Sequence, residues 1–368
     1  MLTHKIEITD LVFGGDGIGK LNGKVCFVPL SAPGDLLEVI ITEEKKDYSR
    51  GQIQNILQAS ADRTVPPCQY FEKCGGCSWQ HLSYPSQVKY KQQLVESHFR
   101  RSFGEAWKWR DFQRSPLQYE YRNKIGLKWN GSKLGYFQKR SHEHLPIKKC
   151  LLADDSINNQ IALLENDLMK QSVLPDKDKT YYLYSKAGAA DAEMNFSQVN
   201  EQVNVLMKED VLSLLPESMP SAFFDFYAGH GNFTFLIYEK LKEKFKTVST
   251  IAVEYDVAMA RKGRLLAGKR KIQFFHAKVE DYLRREKIPS GAFILLDPPR
   301  GGCDALVTDA LLHSKAQKIV YVSCNPTTLQ RDLKNLLKYN TYQLKSLRCF
   351  DMFPQTDHVE VVAEIQLS

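Results

Sequence analysis

The first 60 residues alternate apolar and polar positions with a period of two. Lys5–Leu11, Val25–Leu30, Leu36–Glu43 and Arg50–Gln58 therefore read as strands. Gly14-Gly15-Asp16-Gly17, Asn22-Gly23 and Pro33-Gly34-Asp35 separate them, at places where a positive φ costs little. Short strands at this spacing predict a small barrel of the OB type. Pro66-Pro67 breaks the pattern; beyond it Gln87–Phe103 has a helical period and strand-like pieces run to about residue 185. From Met194 strands and helices alternate. A helix over Ser197–Leu215 precedes an apolar strand Ala222–Tyr227 and a helix from Asn232. Strands follow at Thr247–Glu254, Ile272–His276, Ala292–Leu296 and Lys318–Ser323, with another helix from Val257. This alternation predicts an α/β class, a doubly wound parallel sheet. Glu360–Gln366 is a final strand, expected as an edge hairpin partner. Three units are expected: 1–60, 61–190 and 191–368, with the helical stretch near 87–112 packing on the third.

The 368 residues suit several domains, and 43% hydrophobic with 25% charged residues is the composition of a globular chain. No run approaches the roughly 18 apolar residues of a membrane span, and Met1-Leu2-Thr3-His4-Lys5 has no signal pattern, so a cytoplasmic monomer without membrane contact is expected. The net charge of +7 is unevenly placed. Residues 85–150 hold 15 Lys/Arg against 5 Asp/Glu, an excess of +10 that leaves −3 for the rest. Aromatics including Trp107, Trp109, Tyr119, Tyr121, Trp129, Tyr136 and Phe137 are interleaved with these charges. Cations neutralise phosphates and rings stack on unpaired bases, so RNA is an expected partner; an ordinary aromatic core beside a solvated face fits equally well. Eight cysteines in such a chain point to metal or catalysis rather than disulfides. Cys68, Cys74 and Cys77, with the distant Cys150, offer four thiolates suited to zinc or to an iron–sulfur cluster.

The chemistry-bearing motifs all fall at predicted strand ends. Asp225-Phe226-Tyr227-Ala228-Gly229-His230-Gly231-Asn232-Phe233 follows the first apolar strand and opens a helix. Gly229 and Gly231 admit a ligand close to the backbone, and Glu254 ends the next strand, where a carboxylate can accept from ribose hydroxyls. The third glycine of a dinucleotide site is missing, so a ribose-bearing ligand without pyrophosphate, such as S-adenosylmethionine, fits better. Asp297-Pro298-Pro299-Arg300-Gly301-Gly302 ends the fourth strand and projects Asp297 into the same crevice. The fifth ends in Ser323-Cys324-Asn325-Pro326, placing a cysteine beside the ligand. Phe353-Pro354-Gln355-Thr356-Asp357-His358-Val359-Glu360 then brings a carboxylate to the start of the last strand. Nucleophile and base at the mouth of a cofactor site form a reaction constellation, with Asp357 and His358 as loop supports.

Taken together, these motifs resemble the RNA uracil-5-methyltransferases that carry an iron–sulfur cluster, over nearly the whole chain. The resemblance implies a class I methyltransferase domain, an N-terminal TRAM barrel and a central domain in which Cys68, Cys74, Cys77 and Cys150 hold a 4Fe–4S cluster. It implies S-adenosylmethionine as cofactor, with Gln198, Tyr227, Gly229, Gly231, Asn232, Glu254 and Asp297 lining the cofactor and target-base pocket. Cys324 would be the nucleophile and Glu360 the base. Ala228 replaces a cysteine common in the glycine turn, and Lys278 stands where relatives often have Asn; that position is left unassigned. The substrate implied is a uridine of structured RNA, 23S ribosomal RNA being favoured over transfer RNA because of the barrel. An RNA cytosine-5-methyltransferase is the nearest rival, but the second active-site cysteine it needs is not evident. A catalytically silent RNA-binding protein is opposed by the retention of both Cys324 and Glu360.

Overall fold

The computed structural model describes residues 2–139, 141–171, 176–185 and 198–368. The N-terminal strands β1 (Thr3–Leu11), β2 (Gly17–Leu21), β3 (Lys24–Val28), β4 (Leu36–Glu44) and β5 (Tyr48–Gln58) close a barrel in the order β1-β2-β3-β5-β4. Its core is Ile6, Ile8, Cys26, Val28, Leu37 and Val39, the inward positions of the alternating pattern. The alternation left out β2, because Gly17-Ile18-Gly19-Lys20-Leu21 has too few large apolar residues to signal a strand. The glycines are there for closeness: a Cβ on Gly19 would sit 2.1 Å from the Glu7 carbonyl oxygen.

Beyond the cysteine-bearing loop, α1 (Tyr84–Phe103) starts at Ser83, whose hydroxyl accepts from the Ser86 amide. Then come β6 (Lys108–Gln113), β7 (Lys124–Trp129), β8 (Leu134–Phe137), β9 (His144–Pro146), α2 (Asp155–Met169) and β10 (Thr180–Tyr184). Strands β10-β7-β8-β9 form an antiparallel sheet with α2 on one face; Ile125, Leu127, Trp129, Ile157 and Ile161 are the core between them. Trp129, Trp107 and Tyr121 are buried, so part of the interleaved aromatic pattern is core.

The C-terminal unit contains α3 (Glu201–Ser213), β11 (Phe223–Phe226), α4 (Thr234–Phe245), β12 (Thr250–Glu254), α5 (Val257–Ala267), β13 (Ile272–His276), α6 (Val279–Leu283), β14 (Phe293–Leu296), α7 (Ala305–Ser314), β15 (Lys318–Ser323), α8 (Pro326–Leu336), β16 (Tyr342–Phe350) and β17 (Glu360–Leu367). The sheet order is β13-β12-β11-β14-β15-β17-β16-β6. The strands read as solid apolar runs because both faces are covered, Phe224 and Phe226 packing into one layer and Phe223 into the other. The expected helix start at Ser197, and the boundary at 190/191, lie outside the described residues.

Two corrections concern the sheet edge. β17 is no edge strand: it pairs antiparallel with β15 on one side and β16 on the other. The outer position belongs to β6, which adds parallel to β16, while Val95 and Phe99 of α1 enter the same core. The run Tyr342–Phe350 hid β16, since a register shift between Leu344 and Ser346 breaks the alternation set by Gln343 and Lys345 and places Arg348 out of step. Arg110 and Arg348 both donate to the buried Asp210 of α3, fastening this edge.

A buried ion pair fixes α1 to the loop that leads into β17. Lys91 Nζ lies 2.6 Å from Asp351 Oδ1, both side chains fully buried, and also donates to the Phe353 carbonyl at 3.0 Å. Lys91→Met would strand a desolvated carboxylate, and we expect a loss of about 3–5 kcal/mol in urea unfolding. Adding Asp351→Leu should recover most of it, since the pair rather than either charge suits the interior; a double variant no better than the single one would contradict this.

Candidate active site

The predicted motifs meet at the carboxyl edge of the parallel strands, beside the switch point between β11 and β14, where open α/β sheets bind ligands. Register places the candidate nucleophile and the candidate base together. Ser323 pairs with Val361, so Cys324 and Glu360 are the next residues outward on adjacent strands. Asp297 leaves β14 one strand away. Asn325, two residues beyond β15, caps α8, its Oδ1 accepting from the Thr327 amide at 3.1 Å while Pro326 occupies the first turn. Cys324 thus immediately precedes the N-cap of α8.

The electrostatics are those of a crowded anionic cleft. Burial, and then the Glu360 carboxyl, push the half-buried Cys324 thiol up to about 11, while Arg300 pulls it down. Glu360, 5% exposed, is raised well above the ordinary carboxylate range by burial and by Asp297, again opposed by Arg300. Asp297 is raised to about 7 by burial and then by Glu254. Arg300 is therefore the cation shared by Cys324 and Glu360. It donates to His358 Nε2 at 3.1 Å, and its carbonyl accepts from Asn325 Nδ2 at 3.1 Å. Burial holds His358 below the ordinary imidazole range, which suits an acceptor.

The glycine turn is a backbone cradle. Tyr227, Gly229 and Gly231 have φ of 63°, 57° and 103°. A Cβ on Gly231 would stand 2.3 Å from the Phe235 ring, so no other residue fits. Glu254 accepts from the Gly229 amide at 2.8 Å and the Asp256 amide at 2.6 Å, one on each oxygen, which orients it and leaves lone pairs for a ligand. Asn232 exchanges amide hydrogen bonds with Asn204 of α3. Tyr227 packs against the core and turns its hydroxyl towards Cys303. Gln198 is tied through its carbonyl to Asn123 Nδ2 at 3.0 Å. Lys278 precedes α6 with its ammonium 5.4 Å from the centre of the Tyr255 ring.

A cavity of about 190 Å³ opens onto Cys324, and part of its wall is the barrel: Phe13 and Gly14 face Arg300, Asn325 and His358 across it. Asp357 joins the parts. Its carboxylate accepts from the Gly14 amide at 3.1 Å and the Ser78 hydroxyl at 2.8 Å, and its amide donates to Ser78 Oγ. One residue of the loop entering β17 thereby holds the barrel and the segment next to Cys77. Nothing in the sequence pattern could show this, since the partners lie 343 and 279 positions away. Arg300, Asn204 and Asp225 were also missed as site residues; Asp225 is buried under the turn, accepts from Thr234 Oγ1 and is raised to about 8 by burial. Arg300 was visible inside its motif, but its reach to His358 depends on how the loop folds.

Cys68, Cys74, Cys77 and Cys150 line one separate cavity of about 50 Å³, together with Arg122 and Tyr136. Burial pushes Cys77 up to about 12, and Cys74 rises for the same reason, each thiol reinforced by its neighbours. The Gly76 amide donates to Cys74 Sγ at 3.4 Å. Among the described residues no three His, Cys, Asp or Glu side chains converge as around a single metal ion. No helix of the described residues is long and apolar enough to cross a membrane.

Comparison with known proteins identifies the family. Residues 121–366 match the tRNA (Uracil-5-)-methyltransferase family and residues 3–53 the TRAM domain. An RNA methyltransferase of Bdellovibrio bacteriovorus is 31% identical, with 99% of this chain and 95% of that protein aligned. A 23S rRNA (uracil(1939)-C(5))-methyltransferase of Histophilus somni is 29% identical over 97% of this chain and 94% of its own length. Among solved structures, the Pyrococcus abyssi tRNA (uracil-54, C5)-methyltransferase in complex with S-adenosyl-L-homocysteine shares the fold, with a TM-score of 0.71, 21% identity and coverage of 98% of this chain and 100% of its own. The chain thus belongs to the tRNA (Uracil-5-)-methyltransferase family, as an S-adenosylmethionine-dependent RNA (uracil-5-)-methyltransferase of class I fold with an N-terminal TRAM barrel.

Proposed function

We propose that this enzyme methylates carbon 5 of one uridine in 23S ribosomal RNA through a covalent bond between Cys324 and carbon 6 of the base. The carrying observation is the register that sets Cys324 and Glu360 side by side at the strand ends, under a shared Arg300. Carbon 5 of uracil is a poor nucleophile. Addition of the Cys324 thiolate to carbon 6 moves the 5,6 electron pair towards the carbonyl oxygen and makes carbon 5 nucleophilic. Asp297, balanced near neutrality, can offer a proton to a uracil carbonyl, and Gln198 is assigned to the base edge beside it. After methylation Glu360 removes the carbon 5 proton; the double bond re-forms and the thiolate leaves. Its raised proton affinity makes it a stronger base than an ordinary carboxylate. A stacked uridine could not reach this edge, so the base is extruded.

S-adenosylmethionine supplies an electrophilic methyl group when bound. The cradle fits it: a turn that admits only glycine at position 231, and a carboxylate preset by two amides at Glu254. Gly229, Gly231, Tyr227, Asn232, Glu254 and Asp297 would line its pocket. Three units follow: the barrel (1–60), the central unit (61–190) lending α1 and β6 to the third, and the methyltransferase (191–368). The Histophilus relative supports 23S RNA, and the family description supports transfer RNA as a second reading. Mapping 5-methyluridine in both RNAs from a strain lacking the gene tests it: loss from 23S RNA alone is expected, and loss from transfer RNA alone would favour the second.

For the thiol ring we propose a 4Fe–4S cluster on Cys68, Cys74, Cys77 and Cys150, supported by four thiols around one cavity and an amide already donating to Cys74. The chain held anaerobically should contain iron and sulfide, and Cys150→Ala should lose most of both. Zinc without iron in the purified protein would refute the assignment.

A further inference from the structure

One face of the four-stranded central sheet is covered by α2; among the described residues no helix or strand covers the other. Side chains alternate across a strand, so Tyr182 and Tyr184 on β10 share the open face with Lys124, Gly126 and Lys128 on β7. Phe137 of β8 and His144 of β9, paired directly, continue it. Their neighbours in sequence, Ile125, Leu127 and Leu183, point into the core.

The open face is built flat. Tyr182, 55% exposed, lies opposite Gly126, and a Cβ at that glycine would stand 2.9 Å from the ring. The tyrosine therefore spreads over the strand rather than standing off it. The Lys124 ammonium sits 4.7 Å from the Tyr182 ring centre and 5.3 Å from that of Tyr184, and Lys128 is 5.6 Å from that of Phe137. None of these outward positions is acidic. A hydrophobic docking face would not place ammonium groups over its rings, whereas a face for stacked bases with phosphates alongside needs both.

Chain connections lead from this face to the reacting edge. Asn123, next to Lys124, donates to the Gln198 carbonyl at 3.0 Å and, through its amide, to the Val199 carbonyl at 3.0 Å; its own carbonyl accepts from Ser185, next to Tyr184. The Lys124–Tyr184 end of the face thus adjoins the segment assigned to the target base.

We propose that Tyr182, Tyr184 and Phe137, with Lys124 and Lys128, form a second RNA site that stacks an unpaired stretch beside the methylated uridine. This rests on the reading of the chain as an RNA-modifying enzyme. The test uses the full-length protein, without S-adenosylmethionine, and a fluorescent single-stranded oligoribonucleotide of about 12 nucleotides. Tyr182→Leu keeps Gly126 covered but removes the π face, and should weaken binding about tenfold; Tyr182→Trp should bind as the wild type does. Affinity for a duplex of the same length should not change. Equal single-strand binding by wild type and Tyr182→Leu would overturn the proposal and leave the face to a protein partner, and an equal loss for duplex would overturn it too. Methyl transfer to unmodified RNA by the same wild-type preparation separates the two claims: its absence alone sinks the function, and an inert Tyr182 sinks only this site.

Discussion

Cys324→Ala should abolish methyl transfer and covalent capture of RNA together, with a fall in kcat/KM of at least about 10⁴-fold. No other thiol can substitute, because Cys26, Cys303 and Cys349 are buried and Cys68, Cys74, Cys77 and Cys150 line a separate cavity. The wild-type enzyme should also show a rate that climbs with pH. The thiol, raised to about 11 by burial and Glu360, holds its proton at neutrality, and its ionised fraction grows about tenfold per pH unit below that value. Arg300 opposes the shift, so Arg300→Met should lower the rate at every pH of that climb, by moving the rise to higher pH. Single-turnover rates with labelled S-adenosylmethionine across pH 7 to 9 measure both effects. A covalent band on a denaturing gel with Cys324→Ala, or a flat wild-type profile, would contradict the assignment.

The reacting edge was legible in the sequence because its chemistry and its architecture use the same residues. Apolar runs must be strands covered on both faces, and each ends in a breaker: Tyr227-Ala228-Gly229, Asp297-Pro298-Pro299 and Cys324-Asn325-Pro326. Residues that stop strands at one edge of a parallel sheet are necessarily neighbours in space. What stayed hidden depends on partners far along the chain. β2 and β16 carry glycine or charged positions that blur their period, and without β16 the last strand looked like an edge. The basic aromatic stretch mixed two things that only packing separates: Trp107, Tyr121 and Trp129 are core, while the exposed rings include Tyr182, outside that stretch. The part played by Phe13 and Gly14 in the wall before Cys324 could not be read either, since a turn in a barrel gives no sign of what it will face.

Glu360→Gln should trap the enzyme on its substrate after methylation. The amide keeps the size and the hydrogen-bonding reach of the carboxyl but cannot take the carbon 5 proton, so the adduct forms, is methylated and does not resolve. We expect turnover to fall at least about 10²-fold while a covalent protein–RNA band accumulates. The band should hold the transferred methyl label, which distinguishes a late block from an early one. Removing the carboxyl also takes away the group that raises Cys324 after burial itself, so the thiol should ionise at lower pH in this variant and adduct formation should be no slower than in the wild type. A substrate with fluorine at carbon 5 should give the same band with the unaltered enzyme, because no base can remove fluorine as a proton. The two experiments share an endpoint but reach it differently, one by disabling the base and the other by denying it a proton. Normal turnover by Glu360→Gln, or a band lacking the methyl label, would move the proton-removing role to another group at the same edge, with Asp297 the next carboxyl to test.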